Sequence, residues 1–260
     1  MLIWRLTMLP VSGIVWPLLT GGDHGGAARG TGAMPSNDIE VLDANIIVLP
    51  AAPLTQLSQA PALFQSDELK SLMKTVTGAQ VLQLDAASGN VAPMLSFESM
   101  RDQRIANIGA NRIEVHDRSG SRDFNAESLV RIIQYLVREL EVTVGTLGAN
   151  FDVTFPVPDG QNAARAIANA LFSERKDYML GAMQSLGGAG RLFLEQPDGV
   201  RYTIAIEPRF NSLETTDLFI TSNANLATKE MPSGERLLQL VRDNCGVVEH
   251  VAHTLFSVSW

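Results

Sequence analysis

Hydrophobic and polar positions alternate with two different periods along this chain, and the switch between them predicts most of its elements. Ala44 to Leu49 is a short apolar run closed by Pro50 and reads as a strand. Residues 50–66 hold three prolines and read as an extended connection. Ser66 or Asp67 caps a short helix through Glu68–Val76, with Leu69, Leu72, Met73 and Val76 at helical spacing. Gln80 to Asp85 returns to strand. Between Arg104 and Asp117, Ile113 and Val115 alternate with Arg112, Glu114 and His116, which predicts a strand with one wet face. From Asn125, a good N-cap, Leu129, Ile132, Ile133, Leu136, Val137 and Leu140 form the clearest amphipathic helix of the chain.

The second part repeats the theme. Phe151, Val153, Phe155 and Val157 share one face of a strand over 144–157, with Asp152 and Thr154 on the other. Residues 161–172 are an alanine-rich helix, and 178–186 a further one. The stretch RLFLEQ, Pro197-Asp198-Gly199, VRYTIAIEP is a hairpin. Asp217 to Ser222 adds a strand, and Ser233 caps a last helix with an apolar face at Leu237, Val241, Val248, Ala252 and Leu255. Runs of strands broken by helices predict an α+β fold: two similar halves, 38–158 and 159–260, each a small, mainly antiparallel sheet covered on one face by helices. Residues 1–37 stand apart. They are expected to be a disordered tail, a leader removed in processing, or the product of a start placed upstream of Met34.

Two segments share a Gly-Ala-Asn entry into a strand, 109–111 and 148–150, and Asn223-Ala224-Asn225 echoes it. Glycine and asparagine suit a bend in a curved sheet, so a structural corner is the expected reading. The alternative is a ligand loop. Should the two corners meet, Asn111, Glu114, His116 and Asn150 are the candidate catalytic residues, with His116 as the acid/base group.

Other chemistry is sparse. LGGAGR at 186–191 follows a helix and precedes a strand, the reverse of a dinucleotide turn, and no phosphate loop or nucleophile elbow occurs. His250 and His253 beside Glu249 are weak metal candidates, because their spacing falls short of a zinc helix motif and both are expected on the wet side. Cys245, the single cysteine, reads as a small buried hydrophobe and excludes an internal disulfide. No cofactor is implied. The 260 residues are 45% hydrophobic and 18% charged, as in a folded domain, and the net charge of -8 argues against a phosphate-backbone partner. Pro10, Gly13 and Pro17 interrupt the apolar start, so a membrane span is not expected there.

Residues 190–260, ending VVEHVAHTLFSVSW with His250 and Phe256 on the last helix, resemble a set of uncharacterised bacterial two-half α+β proteins of similar length; residues 100–157 share the likeness more loosely. The resemblance implies the fold and carries no activity. The functional expectation is a cytoplasmic, non-catalytic protein (secreted, if residues 1–33 are a signal). It would bind a protein partner through a groove between the halves or an exposed sheet edge, with no nucleic acid and no membrane. The rivals are an enzyme at the paired corners and a structural or assembly subunit that packs against copies of itself.

Overall fold

The computed structural model describes residues 39–74, 76–84, 91–99, 101–120, 124–172 and 187–258. The N-terminal segment and the predicted helix at 178–186 lie outside them. Nine strands form one antiparallel sheet: β1 (Glu40–Pro50), β2 (Thr77–Leu84), β3 (Val91–Ser99), β4 (Arg104–Gly109), β5 (Arg112–Asp117), β6 (Val144–Pro156), β7 (Gly190–Glu195), β8 (Arg201–Pro208) and β9 (Asp217–Ala227). Their order is β2-β3-β4-β5-β1-β6-β9-β8-β7. Among the described residues five α-helices accompany them: α1 (Ala60–Leu63), α2 (Asp67–Met73), α3 (Ala126–Glu139), α4 (Ala163–Phe172) and α5 (Gly234–Phe256).

The α+β class and the antiparallel pairing are as expected, but the strands make a single sheet instead of two small ones. The join is the β1–β6 ladder. The two strands pair from Glu40–Thr154 to Pro50–Val144, a register that spans the whole of β1 and all but the last two residues of β6. β1 is followed by α1, α2 and a meander whose last strand, β5, returns to pair with β1; α3 comes next. β6 is followed by α4 and a meander whose last strand, β9, returns to pair with β6, before α5.

Partners in an antiparallel ladder point to the same face, so the register sorts the side chains. Ile46, Val48, Ala106, Ile113, Val115, Leu147, Phe151, Phe155, Ile204, Ile220 and their neighbours face the helices and are buried. Against them α3 places Leu129, Ile132, Ile133 and Leu136, and α5 places Leu237, Leu240, Val248 and Ala252. Each such side chain contributes roughly 1.5–3 kcal/mol by leaving water. Asn125 caps α3 by accepting from the Ser128 N–H at 2.9 Å, and Ser233 caps α5 by accepting from Arg236 at 3.2 Å. Ser66 does the same for α2.

Among the buried polar residues on the helix side, Asn244 is the one that comes from a helix. Asn244 on α5 is buried, donates to the carbonyls of Ala149 (2.8 Å) and Ser222 (3.3 Å), and accepts from the Ser222 hydroxyl at 2.5 Å. It locks α5 across β6 and β9. Asn244→Ala orphans the buried Ser222 hydroxyl, so urea unfolding is expected to show a loss of about 2 kcal/mol. A Ser222→Ala partner substitution should recover part of it; an additive pair of losses would contradict the bond.

The Gly-Ala-Asn segments are not equivalent corners. The first is the two-residue turn of the β4–β5 hairpin, closed by the Gly109–Arg112 pair and tied down by the Leu54 N–H donating to the Ala110 carbonyl at 2.7 Å. The predicted single strand from 104 to 117 is thus two strands. The second lies in the middle of β6, paired on both sides and unbent. Its glycine serves close approach: a Cβ on Gly148 would sit 3.2 Å from Asn225 Oδ1. Asn223-Ala224-Asn225 lies inside β9, which runs on past Ser222 to Ala227. The two irregularities of the β1–β6 register leave Leu42 of β1 unpaired, between Val41 and Asp43, and Gly145 of β6 unpaired, opposite Leu49 and Pro50.

Candidate functional site

The described helices lie on one face of the sheet, and the other face carries its unusual chemistry. Alternation along β5 puts Arg112, Glu114 and His116 there; along β1 it puts Asp43, Asn45 and Ile47 there. The register then aligns His116, Asn45, Asn150 and Asn223 in one row across β5, β1, β6 and β9. Asp43, Asp152 and Thr221 form the next row.

These side chains are joined. His116 Nδ1 lies 2.8 Å from Asp43 Oδ2, and its Nε2 lies 3.0 Å from Glu114 Oε2. Asn107 Nδ2 donates to the same Glu114 oxygen at 3.3 Å, and the Ser96 hydroxyl donates to Asn107 Oδ1 at 2.9 Å. On the other side Asn45 Nδ2 donates to Asp43 Oδ2 at 3.1 Å, and Asn150 Nδ2 donates to Asn45 Oδ1 at 2.9 Å. The chain of bonds therefore crosses five strands, from β6 through β1, β5 and β4 to β3. Arg112 Nε pairs with Glu114 Oε1, and Arg118 Nε stands 3.9 Å from Asp43 Oδ1. Glu114, His116 and Asn45 are buried although no described helix covers this face.

The network converges on two carboxylates with one imidazole between them. Both ring nitrogens meet carboxylate oxygens, so each is already engaged within the network. The same arrangement turns the two nitrogens away from each other, which prevents Asp43, His116 and Glu114 from closing on one ion. Among the described residues, no group of three or more His, Cys, Asp or Glu is set to hold a metal.

Asp152 is the strained member. Its carboxyl is pushed up to about 6, first by burial and further by the nearby Asp43 charge, while the Thr221 hydrogen bond, His116 and Arg118 oppose the shift. Acceptor oxygens are also left over: Asn150 Oδ1 and Asn223 Oδ1 are buried and have no hydrogen-bond partner.

Of the residues picked from sequence, Glu114, His116 and Asn150 come together in this network. Asn111 does not. It is exposed at the β4–β5 turn, five positions along β5 from His116 and so roughly 16 Å away along the strand. Asp43, Asn45, Asn107 and Asp152 are not candidates by sequence, because only the register of β1, β4 and β6 brings them near His116; Asn223, an echo of the Gly-Ala-Asn entry, stands three strands away in the same row. The single hint was that polar residues hold the alternate positions of strands otherwise rich in Ile, Val and Phe. His250 and His253 are exposed on α5, where with Gly246 and Glu249 they line a shallow open groove on its outer side. Burial pushes the Cys245 thiol up to about 12, which keeps it protonated and unreactive. No helix among the described residues is long and apolar enough to cross a membrane.

No protein-family model matches this chain, and no curated protein does.

Proposed function

We propose that this chain is a binding protein without catalytic activity, and that it takes a protein partner on the face of its sheet that no described helix covers. The reading rests on one observation: both nitrogens of His116 are held by carboxylates, whereas Asn150 Oδ1 and Asn223 Oδ1, two and three strands away in the same row, are acceptors with no hydrogen-bond partner. A polypeptide supplies N–H and O–H donors in quantity. Leaving two buried acceptors unmet costs about 1–3 kcal/mol each, which a partner's donors would relieve.

The position supports this. The network sits where β1 and β6 pair, at the centre of the sheet, and the two successions of strand, helix, meander and long helix meet there. A face shared by two such units is a common place for a partner. Phe210 adds an apolar contact at the end of the sheet. It is 85% exposed and held at a left-handed φ of 59° in the short 3-10 turn after β8, with Leu213 also exposed nearby. Aromatic anchors beside a polar, hydrogen-bonding surface are typical of protein interfaces.

The test is capture from host extract on immobilised chain, followed by titration with the purified captured protein. Asn150→Ala combined with Asn223→Ala should weaken its binding by at least about tenfold, equivalent to about 1.4 kcal/mol. A Gln239→Ala, Arg242→Ala pair on the outer side of α5 should leave it unchanged. Binding indifferent to the asparagines would reject the face. Capture of a small molecule whose turnover depends on His116 would move the chain to the enzyme reading.

A further inference from the structure

The sheet ends in a strand whose own sequence is complementary to itself. β7 pairs with β8 through Gly190–Ile206 to Glu195–Arg201, and among the described residues no strand lies on its other side. Natural edge strands are shielded by proline, lysine, bulges or covering segments. The six residues GRLFLE have none of the first three. Phe193 is 71% exposed and Leu194 48% exposed, and both lie in mid-strand on the open edge.

Laid antiparallel against a second copy with the two-fold axis at Phe193, the strand finds a match at each position. Phe193 meets Phe193, Leu192 meets Leu194, and Arg191 meets Glu195, the last two pairs each occurring twice. By alternation Arg191, Phe193 and Glu195 share the helix-free face, while Leu192 and Leu194 share the helix side with their β8 partners Ile204 and Tyr202. Glu195 already lies 3.5 Å from Arg201 of its own β8. An incoming Arg191 would bracket it from the other side and continue the row of alternating charge. Shifting the register by one residue would put leucine opposite arginine or glutamate and turn the charged positions to the wrong face. A closed two-fold contact of this kind is isologous, the commonest symmetry of soluble oligomers.

We propose that the chain forms a two-fold dimer through antiparallel pairing of β7 with β7 of a second copy, in the register Arg191–Glu195, Leu192–Leu194 and Phe193–Phe193. The sheet then runs without a break through both protomers. The contact is independent of the partner surface described above, since it uses the outer edge of β7 and no residue of β1 or β6.

Sedimentation equilibrium on the full 260-residue chain tests it. The expected mass at tens of micromolar is twice the 28.1 kDa of one chain. Phe193→Lys sets two ammonium groups against each other at the axis and should yield monomer; because the side chain is exposed, the fold is retained, which circular dichroism verifies. Arg191→Glu alone, or Glu195→Arg alone, places like charges opposite one another twice and should weaken the dimer about tenfold or more. The double exchange Arg191→Glu, Glu195→Arg should restore it to within about threefold of the original. Phe193→Cys should cross-link across the axis on oxidation. A chain that stays monomeric at all concentrations, or a dimer indifferent to the charge exchange, overturns the proposal.

Discussion

His116→Ala is expected to lower the unfolding free energy by about 3–5 kcal/mol, the usual consequence of removing one partner from a buried ionic pair. Asp43 and Glu114 are held by the same ring, at 2.8 and 3.0 Å. Without it, two carboxyl groups on neighbouring strands lose the ring they shared. Asn45 and Arg118 still serve Asp43, and Asn107 and Arg112 still serve Glu114, so the fold should survive in weakened form. The origin of the loss is checked by repeating the substitution in an Asp43→Asn background. With one charge gone, His116→Ala should then cost about 1–2 kcal/mol less, a coupling of the size seen within buried networks. Equal losses in both backgrounds, measured by urea unfolding at constant pH, would show that only packing was removed.

Asp152→Asn should do the opposite. Burial and the Asp43 charge hold the Asp152 carboxyl at about 6 against 3.8 for a free aspartate. The folded chain therefore binds more protons at this site than the unfolded chain between those two values. Stability from this group is greatest below about pH 3.8 and falls as pH rises towards 6. By neutral pH the deficit is on the order of 2–3 kcal/mol. Asparagine has no charge to bury and can keep the Thr221 bond. The variant should thus gain that amount over the parent at pH 7, with the gain fading as pH drops towards 4. Denaturant midpoints across that range measure it; a constant difference would place the carboxylate in a far wetter setting than the fold gives it.

The two predictions have opposite signs although the residues lie within one network, and the register explains why. Asp43 and Glu114 each meet a cation and a donor, whereas Asp152 sits in the row beside Asp43 with a hydroxyl as its direct hydrogen-bond partner. A carboxylate placed so is tolerated for something other than stability, in line with a binding role for this face.

Much of the fold was legible in the residues. The helical stripe from Leu129 to Val137, the caps Asn125, Ser66 and Ser233, and the hairpin around Gly199 all appear where expected, because each depends on spacing and local hydrogen bonding. The misses share one cause. The Gly-Ala-Asn triplets look alike in sequence, yet 109–111 is a turn because the chain must reverse between β4 and β5, while 148–150 is held straight by strands on both sides. β3, over Val91–Ser99, was not anticipated at all. It carries Pro93 and a mixed polar pattern, and it is a strand because β2 and β4 flank it.

By itself, the sequence determined which segments are helix or strand and which face of each avoids water, since both follow from periods of 3.6 and 2 and from the solvation of single side chains. It also placed Glu114 and His116 on one polar strand face. The tertiary structure alone decided that β1 and β6 fuse the strands into one sheet, and that His116 lies between Asp43 and Glu114 with Asn45 and Asn150 alongside. Those contacts join residues up to 105 positions apart. Their pairing is set by the competition among long-range registers for a common core, and no local spacing records the outcome of that competition.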